Sequence, residues 1–309
     1  MTQSHSAGRA AGHPSRADWA LFALCVVLWG SAYALVRVAL HDGASPWEIV
    51  AGRLWLAAIF LRVVLVWRRR RGLEPPRTPR ARRKLFVMGL LGAAAPFWLY
   101  SWAQLSAPSG VVGLYAAVTP LLVAGAAPFL ARGERLNLTR VGGLLLGFAG
   151  VAALMGPAAF GEAAHARVLA QGAAILGSAC YAANTLIARG GAQIPPLEAA
   201  SGWTFFGALM ASPFALAEAL AGAAPGPLAW AAIAALTLGP TGIASIAYFQ
   251  LVRGAGPVFV TQTNYLMPLW ALGLGALAFG EPIGASALLA FALIAAGLFI
   301  AQEGWKALR

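Results

Sequence analysis

The sequence predicts an all-α membrane protein of ten transmembrane helices, arranged as two inverted five-helix repeats. Three observations predict it. First, 60% of the 309 residues are apolar and only 10% are charged, whereas a soluble domain carries about 25% charged residues. Second, the apolar residues gather in runs of about 20, the length that crosses a bilayer core. Third, the second half of the chain repeats the first after roughly 150 residues.

The runs lie near 19–40, 46–67, 84–104, 109–131 and 137–156, then near 168–188, 196–217, 229–252, 257–279 and 283–302. A polar tail, 1–18, precedes them, and a short tail, 303–309, follows. The first run is too long for the apolar stretch of a signal peptide and reads as a retained span. Turn residues separate the others: His41-Asp42-Gly43, Pro108-Ser109-Gly110, Gly133-Glu134, Gly190-Gly191, Pro225-Gly226-Pro227, Gly254-Ala255-Gly256 and Gly280-Glu281-Pro282. The fifth run has its apolar core trimmed to about 16 residues by Arg140. Its Gly143-x-x-x-Gly147 spacing suits close helix packing.

The net charge is +12, a value that can mark a nucleic-acid binder. Its distribution excludes that reading. Nine of the 22 basic residues fall between Arg68 and Lys84, in one loop between two apolar runs. That is the expected form of a short cytoplasmic loop, and anionic lipid headgroups are its expected partner. With the N terminus inside, the inner segments hold 18 basic residues and the outer loops hold only Arg167. Both termini are therefore expected to be cytoplasmic, in the inner (plasma) membrane. Two cysteines, Cys25 and Cys180, offer neither a disulfide framework nor a zinc site. The sequence calls for no metal, no cofactor and no catalytic residue.

The repeat is visible in particular residues. Ser45-Pro46-Trp47-Glu48 aligns with Pro195-Pro196-Leu197-Glu198, Gln104-Leu105 with Gln250-Leu251, Thr119-Pro120-Leu121 with Met267-Pro268-Leu269, and Gly150 with Gly297. Each half, 19–156 and 168–302, holds five runs. An odd number turns the second half upside down relative to the first, as in many secondary transporters.

Trp29-Gly30-Ser31, the stretch from Gln104 to Arg135 and the stretch from Arg253 to Glu281 carry a resemblance to a known family. The chain resembles the drug/metabolite transporter superfamily, specifically the EamA-type transporters with two EamA domains. The resemblance spans nearly the whole chain outside the tail and the basic loop. It implies a ten-helix carrier, and it names no substrate.

Candidate working residues follow from polarity at mid-membrane depth. Pro120 and Pro268 interrupt the fourth and ninth spans, and each removes a donor to the carbonyl four residues earlier, in Ala116 and Asn264. They read as kinks for gating or as packing features. Trp29, Tyr100, Gln104, Tyr115, Thr119, Tyr181, Asn184, Thr261, Asn264 and Tyr265 share inward faces around them. They either line a substrate cavity or tie helices together. Arg53 lies within the second span. It reads as a receptor for a substrate carboxylate, or as an ion-pair partner of Glu48, or as a snorkelling side chain. No Asp, Glu, Lys or His is expected near the midplane, so neutral or zwitterionic solutes suit the cavity better than cations. The expected function is a secondary carrier of small organic metabolites working by alternating access, an exporter of amino acids or related solutes. A lipid-acting membrane enzyme or a non-transporting scaffold is the alternative. A homodimer is one assembly open to such a bundle.

Overall fold

The computed structural model describes residues 15–73, 82–130, 138–155, 164–189, 194–222, 224–254 and 263–301. Among them there is no strand. In chain order the helices are α1 (Arg16–His41), α2 (Pro46–Arg70), α3 (Arg82–Gly89), α4 (Ala95–Ala103), α5 (Ser109–Tyr115) and α6 (Val118–Leu130). Then come α7 (Leu138–Met155), α8 (Ala164–Arg189), α9 (Pro196–Leu220), α10 (Pro227–Leu236), α11 (Ala244–Gly254), α12 (Thr263–Phe279) and α13 (Ala285–Ala301). A π-helical segment, Leu90–Ala94, joins α3 to α4, and another, Thr237–Ile243, joins α10 to α11. Among the described residues, these thirteen helices thus make ten passes.

Local sequence sets the helix starts. Ser15 and Ser45 open α1 and α2 with capping boxes, each hydroxyl accepting from the N–H of the acid three residues on, Asp18 or Glu48, at 3.2 Å. Pro46, Pro196 and Pro227 take first-turn positions, where a missing N–H costs nothing. The segments Arg16–His41, Pro46–Arg70, Arg82–Ala103, Leu197–Leu220 and Pro227–Tyr248 are long and apolar enough to cross a membrane. On α2 both faces are apolar: Leu54, Ala57, Ala58, Leu61 and Leu65 are buried, while Leu56, Ile59, Val63 and Val66 are exposed. A helix of that kind packs on protein on one side and on lipid on the other.

The packing obeys the repeat. The helix α1 packs on α10, α11 and α12, and its counterpart α8 packs on α3, α4 and α6. The helix α2 pairs with α9, and α7 pairs with α13, each with its own counterpart. These are the contacts of two inverted halves related by an axis in the membrane plane. Glycine permits the α7–α13 approach: a Cβ on Gly297 would collide with backbone of Gly143 and Gly147. The GxxxG pair of α7 is therefore a packing seam.

Three spans differ from expectation. The fourth is not one kinked helix. It breaks at Ala116–Ala117, where the chain tightens into i→i−3 bonds: Ala116 N–H to Gly113 O, Ala117 N–H to Leu114 O and Thr119 N–H to Ala116 O, at 3.1–3.2 Å. The Ala116 carbonyl expected to be free is thus satisfied. Pro120 is the third residue of α6, in a first turn whose N–H groups lack helical partners anyway, while Pro268 lies inside α12. The third and eighth spans contain the two π segments, at matching places in the repeats. Such wider turns often mark functional sites.

We call the end of the bundle where α1 starts proximal and the opposite end distal. At the distal end, carboxylates stitch one half to the other. Glu281 accepts from Ser109 N–H at 2.8 Å, Ser109 Oγ–H at 2.9 Å and Gly110 N–H at 3.0 Å. Asp42 accepts from Ala229 N–H at 2.8 Å, and Glu218 from Trp47 N–H at 3.1 Å. At the proximal end Arg69 pairs with Glu198 at 2.9 Å.

Candidate substrate cavity

The two halves enclose a cavity of about 680 Å³. Its lining runs from Gln104 at the end of α4 down to Lys84, Ile194 and Ala199. It therefore extends toward the proximal end, beneath the stitched distal end.

The cavity is built around Arg53, on the buried stripe of α2. Arg53 is only 8% exposed. Its Nε–H donates to the Thr241 hydroxyl at 2.7 Å, and its guanidinium lies 4.0 Å over the Phe97 ring. Thr241, in the second π segment, in turn donates to Leu236 O at 3.0 Å, five residues earlier at the end of α10. Its oxygen is thereby free to accept from Arg53. Among the described residues, the terminal nitrogens of Arg53 meet no hydrogen-bond acceptor. Glu48 is not its partner: that carboxylate accepts from Ser45 N–H at 2.9 Å, in the cap of its own helix.

Aromatic rings form the walls. Tyr100 and Tyr181 stack at 5.8 Å, and Tyr33 meets Tyr100 edge-on at 5.8 Å. Phe97 meets Tyr181 edge-on at 6.4 Å. Trp29 packs on Tyr248 at 5.9 Å, and its Nε1–H donates to Pro240 O at 3.1 Å. The wide turn thus supplies a carbonyl for a buried indole. Ser178 braces the wall, since its hydroxyl donates to Tyr115 O at 2.7 Å and lies 2.8 Å from the Tyr100 hydroxyl. Its one proton is used on the carbonyl, so Tyr100 is the donor to Ser178. Above them Arg37 donates to Gln104 O at 2.6 Å.

Of the residues singled out from the sequence, Trp29, Arg53, Tyr100, Gln104, Thr119, Tyr181 and Asn184 line this cavity. Tyr115 does not: it is 1% exposed, in the core beneath. Thr261 lies outside the described residues, and Asn264 and Tyr265 are described only in their helical backbone. Tyr33, Phe97, Trp203, Thr241 and Tyr248 also line the cavity, and sequence reasoning passed over them. Tyr33 carried a usable signal, one helical turn after Trp29. Thr241 carried none, because only the π turn aims it at Arg53.

The family model for EamA-like transporters matches residues 18–156 and again 169–301. The chain belongs to the EamA-like transporter family. The transporter is 30% identical over 293 residues to a probable terminal-alkyne amino-acid exporter of Streptantibioticus cattleyicolor, covering 93% of both chains. It is 31% identical over 225 residues to an aromatic amino acid exporter, YddG, of Ancylobacter novellus, covering 70% of this chain and 75% of that one. One solved crystal structure matches with a TM-score of 0.64 at 23% identity, over 94% of this transporter and 98% of its own chain. That likeness is one of fold.

Proposed function

We propose that this transporter exports amino acids or related zwitterionic solutes across the inner membrane, both termini cytoplasmic, by alternating access between its two halves. The observation that carries the reading is Arg53. A guanidinium locked at Nε and backed by a ring presents its remaining N–H groups to the cavity in the fork that matches a carboxylate. The walls of Tyr33, Tyr100 and Tyr181 suit an apolar or aromatic side chain. Two relatives named as amino-acid exporters support the same class. Alternating access follows from the mirrored packing: each half can adopt the arrangement of the other, which exchanges the open end. The basic residues Arg68–Arg71 and Arg82–Lys84 then rest against anionic headgroups on the cytoplasmic face.

The test is counterflow in liposomes holding the purified transporter, with a panel of aromatic, aliphatic and terminal-alkyne amino acids. Uptake of at least one class is expected, and Arg53→Gln should abolish it at unchanged protein amount. Uptake of none, or full uptake by Arg53→Gln, would overturn the reading.

A further inference from the structure

Among the described residues, the amide oxygen of Asn184 has no partner. It lies on α8, three residues after Tyr181, and both line the cavity. The side chain is 8% exposed, and its Oδ1 is buried with no donor in reach. A buried amide in that condition needs an explanation, because such groups are nearly always satisfied. The space around it is constructed. A Cβ on Gly92, in the first π segment, would lie 2.8 Å from the Asn184 amide carbon and 2.7 Å from the Trp203 ring. Only a residue without a side chain leaves room for that amide and that ring together.

The charges of the lining narrow what the amide does. Among the described residues, Arg53 and Lys84 line the cavity and no carboxylate does. An amino acid whose carboxylate sits on Arg53 brings an ammonium group with no anion to meet it. Its acceptors have to be neutral oxygens. The Thr185 hydroxyl already donates to Tyr181 O at 2.8 Å and the Tyr100 hydroxyl to Ser178, so each has a partner and only a spare lone pair, whereas Asn184 Oδ1 has no donor at all among the described residues. Gln104, the other lining amide without a partner among the described residues, is 0% exposed at the distal roof, against 8% for Asn184.

We infer that Asn184 Oδ1 accepts the substrate's α-amino group while Arg53 takes the carboxylate. Asn184 is then the residue that tells amino acids from the deaminated acids of the same shape. This rests on the amino-acid reading proposed above. It further sets the charge preference: a substrate with a second cationic group meets Arg53 and finds no counter-charge.

The experiment compares two probes, L-phenylalanine and 3-phenylpropionate, which share ring and carboxylate and differ in the amino group. Equilibrium binding to the purified, reconstituted transporter should favour phenylalanine by about tenfold, the scale of one hydrogen bond to a charged group. In Asn184→Ala the preference should fall to within about twofold, with 3-phenylpropionate bound as in wild type, which also reports an intact fold. Asn184→Ser serves the same purpose should the alanine variant not fold. A preference retained in these variants, or an equal loss for both probes, overturns the role of Asn184. Arg53→Gln separates the two readings: loss of both probes keeps the carboxylate site whatever Asn184 does. Wild-type protein that binds neither probe, or an Arg53→Gln variant that binds both normally, overturns the amino-acid reading and this inference with it.

Discussion

The Nε–H of Arg53 donates to the hydroxyl of Thr241, 188 positions later, and so ties α2 of the first half to the π segment of the second. One nitrogen of the guanidinium is used, and the Phe97 ring fixes its plane. What remains is a pre-oriented fork. Little side-chain entropy is then lost when a ligand binds.

Arg53→Lys keeps the charge but removes the fork. Transport of carboxylate substrates should fall at least tenfold while the amount of folded protein stays constant. Thr241→Val removes the acceptor and leaves Arg53 in place. A hydrogen bond to a charged group contributes about 1.5–3 kcal/mol, so KM should rise by about tenfold. Concentration series with both variants in liposomes check this, and a loss that tracks abundance instead would reduce both residues to structural parts.

Glu281 receives three donors from the start of α5. Glu281→Gln keeps the shape but offers one acceptor oxygen, and its NH₂ faces N–H groups. The distal end should open more often. Thiol labelling of Ala107→Cys, with Cys25 and Cys180 changed to Ser, should quicken several-fold when Glu281→Gln is added.

Gln104 is fully buried, and both polar atoms of its amide lack partners. Gln104→Met has nearly the same shape and no amide to desolvate. It should raise stability by about 1–3 kcal/mol, seen as a higher Tm in detergent. An unchanged or lower Tm would mean that the amide is satisfied in the membrane.

Pro120 and Pro268 should respond differently to alanine. Pro120 follows an existing break, so Pro120→Ala should leave folding and transport close to wild type. Pro268 interrupts α12 from within, and Pro268→Ala restores a helical hydrogen bond there. Transport should fall with membrane insertion intact, measured as initial rate per folded transporter.

Reporter fusions after Arg71 and after Arg309 should both read cytoplasmic. An external reading at either point would contradict the ten-pass orientation set by the basic residues.

The sequence by itself determined the passes, their inversion and the orientation it predicts. Bilayer thickness turns apolar run length directly into a span, and an odd number of spans per repeat forces the inversion. The caps were legible too, since Ser45 and Glu48 act on N–H groups only three residues away. Facing was another matter. In helices apolar on both sides, no polar stripe marks the protein side, so Tyr115 was singled out and Tyr33 passed over. Packing put the first in the core and the second on the cavity. The partner of Arg53 was equally hidden: Glu48 was near in sequence but spent on its cap, and Thr241 was far. The tertiary structure chose Thr241 because the π turn Thr237–Ile243, which contains Pro240 and packs on α1 and α2, brings that hydroxyl to Arg53.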